Sequence, residues 1–336
     1  MKTEFLDRFP RVDLIHAPTP LEYLGGLSGR YGVSIYIKRD DCTGLALGGN
    51  KSRKLEYVLA EALAAGADTI ITGGGLQSNH ARQTAAACAK LGLKCILALK
   101  QSDAVCKDER DRNGNLLLDR LLGAEIRTVV ASVELDAALA AIAAEVGAAG
   151  GRPYVIPLGA STALGALGYA RCAAEIVAQM RELGRKPTHV FVAAGSGGTQ
   201  AGLMAGFEAL GAADIATMGV DIDAYPERTR QRVGDVLAQT RELFGLAGTL
   251  KGDLHMLTDF AGAAYGEPSD TGNAAIRQLA AADGILLDPI YTGKAMSALI
   301  AMLENRQLQA TDCIVFVHTG GLPGLFAYHR AFPTDR

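Results

Sequence analysis

The stretch HVFVAAGSGGT, His189 to Thr199, sets the fold class. Its first half, His189–Ala194, is a short, almost uninterrupted apolar run. Such a run reads as a strand covered on both faces, as in a parallel sheet. It enters Gly195-Ser196-Gly197-Gly198-Thr199 and then a helical pattern to about Leu210. Strand, glycine-rich turn and helix form the unit of a doubly wound sheet. The small residues let backbone N–H groups approach an anion, and the helix start adds partial positive charge. A tight turn that needs glycine for packing alone is the competing reading.

The same unit recurs outward in both directions. Upstream, Asp68–Thr72 (DTIIT) runs into Gly73-Gly74-Gly75 and a helical pattern from about Asn79 to Leu91. Lys94–Leu99 is the next strand. A helix near Gly114–Leu122, a strand at Glu125–Val130, a helix at Glu134–Ala148 with Ser132 as its N-cap, and a strand at Tyr154–Pro157 follow. Downstream come a strand at Ala216–Val220, a helix at Glu227–Phe244, an apolar run at Ile285–Leu287, a helix near Lys294–Asn305 and a strand at Cys313–Val317. Two such blocks predict an α/β fold of two doubly wound domains, with open, mostly parallel sheets and a cleft between them.

Composition narrows the function classes. The 336 residues include 40 Gly, an excess that must serve turns, close packing or backbone near a ligand. A hydrophobic content of 49% excludes a disordered chain. A net charge of −3 without a basic block argues against nucleic acid. The opening MKTEFLDRFPRVDL has no apolar core of a signal peptide. The richest apolar stretch, from Leu135, carries Asp136 and Glu145 and is too short to span a membrane. Cys42, Cys88, Cys95, Cys106, Cys172 and Cys313 form no CxxC pair and no zinc-like cluster with His, so no metal is expected. They read as buried free thiols of a cytoplasmic protein.

Three further glycine-rich loops carry candidate chemistry. In Gly48-Gly49-Asn50-Lys51-Ser52-Arg53-Lys54, Lys51 follows backbone that can pack closely. Most lysines are solvated charges, but a desolvated one has a lowered pKa and can form a Schiff base. In Gly73-Gly74-Gly75-Leu76-Gln77-Ser78-Asn79-His80, Ser78 and Asn79 are either plain helix caps or a carboxylate site at a helix N-terminus. His318-Thr319-Gly320-Gly321 follows the last strand. A P-loop is excluded, because Lys51 follows Asn50 rather than Gly. A nicotinamide site is a weaker competitor: GxGxxG fails at Gln200, although Asp221 mimics the ribose-binding acid. A phosphate loop, a Schiff-base lysine and a carboxylate-binding helix start are together what a pyridoxal-phosphate (PLP) enzyme acting on an amino acid requires.

The chain resembles the D-cysteine desulfhydrase and 1-aminocyclopropane-1-carboxylate (ACC) deaminase group of fold-type II, tryptophan synthase β-like PLP enzymes. The likeness runs from Thr19-Pro20-Leu21-Glu22 and Lys38-Arg39-Asp40-Asp41 through GGNKSRKLEY, QSNHARQTAA, RPYVIPLGAS and GSGGT to LLDPIYTGKAM and HTGGLPGLFAY. It implies a large cofactor-binding domain, 1–47 plus 161–336, a small domain, 48–160, and an active site between them. It implies that Lys51 holds PLP and that Asn79 hydrogen-bonds the ring hydroxyl. Gly195, Ser196, Gly197, Gly198 and Thr199 would bind the phosphate, with Thr292, Thr319 and Gly320 also at the cofactor. Ser78, Asn79 and His80 would line the substrate carboxylate site, and Tyr265 and Tyr291 would flank substrate or ring. A homodimer is implied as well.

Two positions divide the group. ACC deaminases carry Glu and Leu where this chain has Thr292 and Thr319. A carboxylate near the pyridine nitrogen would keep it protonated, whereas a Thr hydroxyl offers a neutral hydrogen bond. The resemblance therefore implies a carbon–sulfur lyase that converts D-cysteine to pyruvate, hydrogen sulfide and ammonia. L-cysteate sulfo-lyases share most of the motifs and are the alternative, with ACC deaminase behind both. Lys51 is the first candidate for Cα deprotonation and a tyrosine the second.

Overall fold

The computed structural model describes residues 4–100, 112–130 and 132–332. Its strands are β1 (Leu21–Tyr23), β2 (Ser34–Lys38), β3 (Thr69–Gly75), β4 (Lys94–Lys100), β5 (Glu125–Val129), β6 (Pro153–Val155), β7 (His189–Ala194), β8 (Ala216–Asp221), β9 (His255–Leu257) and β10 (Cys313–Val317). They form one sheet in the order β1-β2-β10-β7-β8-β9 and another in the order β5-β4-β3-β6. The β1–β2 pair is antiparallel and the other pairs are parallel. The helices are α1 (Glu4–Asp7), α2 (Gly25–Tyr31), α3 (Asn50–Ala64), α4 (Asn79–Leu91), α5 (Gly114–Leu121), α6 (Leu135–Ala148), α7 (Ala163–Glu182), α8 (Gly198–Ala209), α9 (Pro226–Phe244), α10 (Asp270–Asp283), α11 (Thr292–Glu304) and α12 (Leu322–Ala327). No described helix is long and apolar enough to cross a membrane.

The continuous apolar strands are explained by their two covered faces. On β7 and β10, Phe191, Ile314 and Phe316 join one core with Leu299 and Met296 of α11. Their neighbours Val190, Val192, Val315 and Val317 join a second core with Tyr169 of α7 and Leu203 of α8. A period-2 polar face is therefore absent from these strands.

Local expectations fail at a few places. Ile285–Leu287 forms no strand: Ile285 and Leu287 are buried in the first core, while Leu286 between them is 48% exposed. Helix α6 starts with Glu134 at the N-cap position, so Ser132 does not cap it. Cys42 is exposed rather than buried, and Cys106 lies outside the described residues.

Helices α3, α7 and α8 stack closely because glycine removes side chains at their crossings. A Cβ on Gly168 of α7 would lie 2.3 Å from the Arg53 carbonyl of α3, and one on Gly202 of α8 would lie 2.3 Å from the Ala166 carbonyl. This places the start of α3, with Lys51, directly against the unit built on the six-stranded sheet. A buried ionic knot fixes the contact. Arg53 Nε donates to Asp40 Oδ2 at 2.8 Å, and its Nη1 and Nη2 donate to the two Glu175 oxygens at 2.8 Å. Asp40 also accepts from Thr19 Oγ1 at 2.8 Å and Tyr169 Oη at 2.7 Å. Burial alone would push the Asp40 carboxyl up, but Arg53 beside it holds it below the usual carboxylate value. Arg53→Met would leave Asp40 without its ion-pair partner in a buried site, while Glu175 keeps Lys38 Nζ at 2.7 Å. It is expected to cost about 3–5 kcal/mol of unfolding free energy. Urea denaturation checks this, and a loss below about 1 kcal/mol, the scale of an exposed pair, would contradict it.

Candidate active site

The sequence places its glycine-rich turns at the carboxyl ends of β3, β7 and β10, where open α/β sheets bind ligands. In the structure these turns and the start of α3 surround one cavity of about 220 Å³. Lys51, Ser78, Asn79, His80, Gly195, Ser196, Gly197, Thr199, Tyr265, Tyr291 and Thr319 all line it. Residues far apart in sequence thus converge on one site.

Lys51 reaches the cavity because the chain before it turns tightly. Gly49 has φ +126°, and a Cβ there would lie 2.6 Å from Gln83 Nε2. The other side of this turn is the last loop: Asn50 N–H donates to the Thr319 carbonyl at 3.0 Å, and a Cβ on Gly320 would lie 2.7 Å from Gly49 Cα. Burial lowers the Lys51 amine to about 8. Its Nζ lies 3.3 Å from Asn50 Oδ1, and burial is the only cause of the shift, with no described carboxylate opposing it. An amine so placed is a nucleophile near neutral pH.

Opposite Lys51, Gly197 (φ +90°) turns the chain from β7 into α8, so the helix starts at Gly198, whose N–H donates to Ser161 Oγ at 3.3 Å, with no cap from the Gly197 side. Asn50 Nδ2 donates to Thr199 Oγ1 at 3.0 Å and ties this turn to the Lys51 turn. Ser161 Oγ and Ser196 Oγ are 2.7 Å apart beside it. Lys54, one helical turn beyond Lys51, is fully buried there. Its Nζ donates to Ser161 Oγ at 3.0 Å and would lie 2.9 Å from a Cβ on Gly198. Burial first, and then repulsion from Lys51, pushes this amine well below its usual value. The carboxylate that lines this cavity, Asp223, is paired with Arg228 and Arg232 at 2.8 and 3.0 Å. Lys51 and the start of α8, with the Lys54 amine behind the turn, fit a bound dianion such as a phosphate monoester. Sequence reasoning passed over Asn50 and Lys54. The i, i+3 spacing of Lys51 and Lys54, which puts both amines on one face of a helix, was the available signal.

The third corner is the start of α4. Ser78 is its N-cap, and Ser78 Oγ accepts from Ala81 N–H at 3.2 Å. Asn79 and His80, the first two residues of this helix, line the cavity with Ser78, so their N–H groups are available to an anion there. His80 packs inward: Thr72 Oγ1 donates to the Ile156 carbonyl at 2.7 Å and lies 2.9 Å from His80 Nε2. Because that hydroxyl has spent its proton, Nε2 carries the ring hydrogen and buried Nδ1 is left as an acceptor without a partner. Burial, with Lys51 and Lys54 nearby, holds the ring neutral. Its side chain therefore accepts hydrogen bonds and does not offer a charge to a carboxylate.

Tyr265 and Tyr291 close the cavity edge to face, with ring centroids 6.2 Å apart and their hydroxyls hydrogen-bonded to each other. Tyr291 is held by Asp288, whose Oδ1 accepts from Ile290 N–H and Tyr291 N–H at 2.9 and 2.8 Å. Thr292 does not line the cavity. It is fully buried, and its hydroxyl donates to Asp288 Oδ2 at 2.7 Å, so it shapes the turn below Tyr291. Gly198 and Gly320 likewise sit behind the lining. The nicotinamide reading loses its acid: Asp221 Oδ1 accepts from Thr229 Oγ1 at 2.7 Å and Asp223 N–H at 3.2 Å. Among the described residues no group of His, Cys, Asp and Glu could hold a metal ion.

Comparison with known proteins gives the family and the fold. The family model described as pyridoxal-phosphate dependent enzyme matches residues 12–320. The chain is similar to the D-cysteine desulfhydrase of Salmonella typhi, 47% identical over 330 residues that cover 98% of this chain and 99% of the relative. It is 46% identical over the same length to that of Salmonella newport (strain SL254). The crystal structure of an ACC deaminase homologue superposes with a TM-score of 0.88 at 38% identity, covering 97% of this chain and 96% of that one. The processed form of threonine deaminase isoform 2 from Solanum lycopersicum shares the fold alone, with a TM-score of 0.67 at 19% identity over 94% of this chain and 83% of that one. The sequence-based expectation of a fold-type II α/β enzyme therefore holds. From the match over residues 12–320 and the full-length similarity at 47% identity, it follows that the chain belongs to the pyridoxal-phosphate dependent enzyme family.

Proposed function

We propose that this protein is a carbon–sulfur lyase that converts D-cysteine and water to pyruvate, hydrogen sulfide and ammonia. The observation that carries the chemistry is the meeting of Lys51, lowered to about 8, with the Lys54-backed turn at Gly195–Thr199 in one cavity. The substrate class rests on full-length similarity to D-cysteine desulfhydrases at 47% identity. In this reading Lys51 Nζ holds PLP covalently, and Gly195, Ser196, Gly197, Gly198 and Thr199 hold its phosphate. Asn79 serves the ring hydroxyl, Thr319 and Gly320 border the ring, and Thr292 acts through Asp288. The large domain is 1–47 plus 161–336, the small domain 48–160, and the reaction takes place between them. A cytoplasmic homodimer completes the reading.

Bound PLP supplies an electron sink for the charge left when Cα loses its proton. The protein supplies orientation and proton handling. Ser78 and the N–H groups at the start of α4 hold the substrate carboxylate, which fixes the Cα–H bond relative to Lys51 Nζ. The Lys51 amine, largely neutral above about pH 8, accepts the Cα proton. Burial raises the Tyr291 phenol well above its ordinary value, so it enters the reaction protonated and can donate to departing sulfur. The released enamine takes up water outside the site and yields pyruvate and ammonia.

A substrate panel tests the assignment. D-cysteine should give sulfide and pyruvate faster than L-cysteine gives them, faster than L-cysteate gives sulfite, and faster than ACC gives 2-oxobutyrate. A higher kcat/KM for sulfite release from L-cysteate would transfer the assignment to a sulfo-lyase.

A further inference from the structure

The Asn79 amide is oriented by a chain of hydrogen bonds whose direction is set by chemistry alone. It begins at Arg82, one helical turn further along α4 and fully buried. A guanidinium can only donate. Arg82 Nε donates to Asn115 Oδ1 at 2.7 Å, which turns the Asn115 amide so that its NH2 faces the other way. That NH2 has two hydrogens and spends both. One goes to the Gln77 carbonyl at 3.0 Å and the other to Asn79 Oδ1 at 2.8 Å. The Asn79 oxygen is thereby occupied, and Asn79 Nδ2 is left as the donor presented by a residue that lines the cavity. Among the described residues no acceptor engages it. Asn115 is itself fully buried and held by its backbone, since its N–H donates to Gln77 Oε1 at 2.8 Å. Arg82 is anchored on the Ala46 and Gly48 carbonyls, so it cannot swing away.

We propose that Asn115, oriented by Arg82, is a positioning residue that locks the Asn79 amide with its NH2 toward the cofactor site. The inference rests on the reading of Asn79 as the partner of the PLP ring oxygen. An NH2 group there favours the ionised oxygen, whereas an amide carbonyl in the same place would repel it. Without the lock, the amide of an Asn can present either atom at almost no cost. The three positions are close in space but lie on α4 and on the first turn of α5, 36 residues apart in sequence for the Asn115–Asn79 contact.

The test is the visible spectrum of the reconstituted holoenzyme at fixed pH. Bound PLP with an ionised ring oxygen absorbs at longer wavelength than with a neutral one, so the ratio of the two bands reports the donor. Asn115→Asp keeps the bond from Arg82 but offers Asn79 only an acceptor, which turns the Asn79 amide over. The long-to-short band ratio should fall by about tenfold, the scale of one hydrogen bond to a charged oxygen. Asn115→Ala, which adds no charge and carries the same test should the Asp variant not fold, should lower the ratio less. In an Asn79→Ala background, Asn115→Asp should produce no further fall. A wild-type ratio in the Asn115 variants, with a lowered ratio in Asn79→Ala, would show that Asn115 is only structural and overturn the proposal. An unchanged ratio in Asn79→Ala would instead overturn the reading of Asn79 on which it rests.

Discussion

Lys51→Ala is expected to lower turnover by about a thousandfold or more, with loss of the visible band and of borohydride trapping of the cofactor. The size follows from two roles that meet in one atom. Lys51 Nζ is the covalent anchor in the proposed reaction and also the acceptor of the Cα proton. Its lowered value, about 8, is what permits both. At pH 7 an amine of that value is neutral in about a tenth of molecules, roughly 300-fold more than one at the ordinary lysine value of 10.5. The cause is burial with no compensating carboxylate, so capture of free PLP by the apoenzyme should speed up with pH and level off above about 8. A Lys51→Ala protein that retains wild-type turnover would remove Lys51 from both roles. Unaltered trapping would move the anchor to another lysine, with Lys54 the nearest.

Lys54→Met is expected to weaken PLP binding by about a hundredfold while making the apoenzyme more stable. These opposite signs distinguish a phosphate-binding amine from a packing one. Without a dianion, Lys54 is a buried amine with Ser161 Oγ and the Gly159 carbonyl for company and a neighbouring amine that repels its charge. Replacing it by an apolar side chain of similar length removes that desolvation cost. In the proposed reading a phosphate at Gly195–Thr199 favours the charged form of this amine, an interaction worth about 1.5–3 kcal/mol, which is the source of the lost affinity. Linkage gives the pH sign. A lysine lowered in the folded state binds fewer protons there than in the unfolded chain. Apoenzyme stability should therefore rise with pH between the lowered value and 10.5, across about 8 to 10.5 for Lys51. Thermal melting of the apoenzyme and equilibrium titration with PLP measure the two effects. Unchanged PLP affinity in Lys54→Met would place the phosphate elsewhere.

The strands that are apolar on both faces were readable because burial leaves them no polar alternation. His189–Ala194 is a strand at the predicted bounds, and Cys313–Val317 matches too. Helix α7 was not readable. Its sequence, ALGALGYARCAAEIVAQMRE, opens with two glycines that lower helix propensity, and the Arg53 backbone that requires the second of them lies far earlier in the chain. Ile285–Leu287 misled for the complementary reason: two buried residues flanking an exposed one resemble a strand whether or not a neighbour pairs with them. Among site residues, those on glycine turns could be found because glycine marks backbone near a ligand. Asn50 and Asp288 could not, because each works through a partner that only the fold supplies: Thr199 and the Tyr291 backbone. Lys54 had its spacing from Lys51 as a signal, but its partner Ser161 comes only with the fold. Thr292 shows the converse. The resemblance marks the position, yet the hydroxyl is spent on Asp288.

The place of β10 has a consequence for the order of biosynthesis. It lies between β2 and β7, and the loop that follows it supplies the Thr319 carbonyl to Asn50 and the Gly320 backbone against Gly49. On the ribosome, a nascent chain that has not yet exposed residues 313–320 has a gap in the middle of one sheet and no support behind Lys51. The unit on β3, β4, β5 and β6 needs none of those residues for its sheet and can form early. The surroundings of Lys51 are therefore completed only after residues 313–320 have left the ribosome.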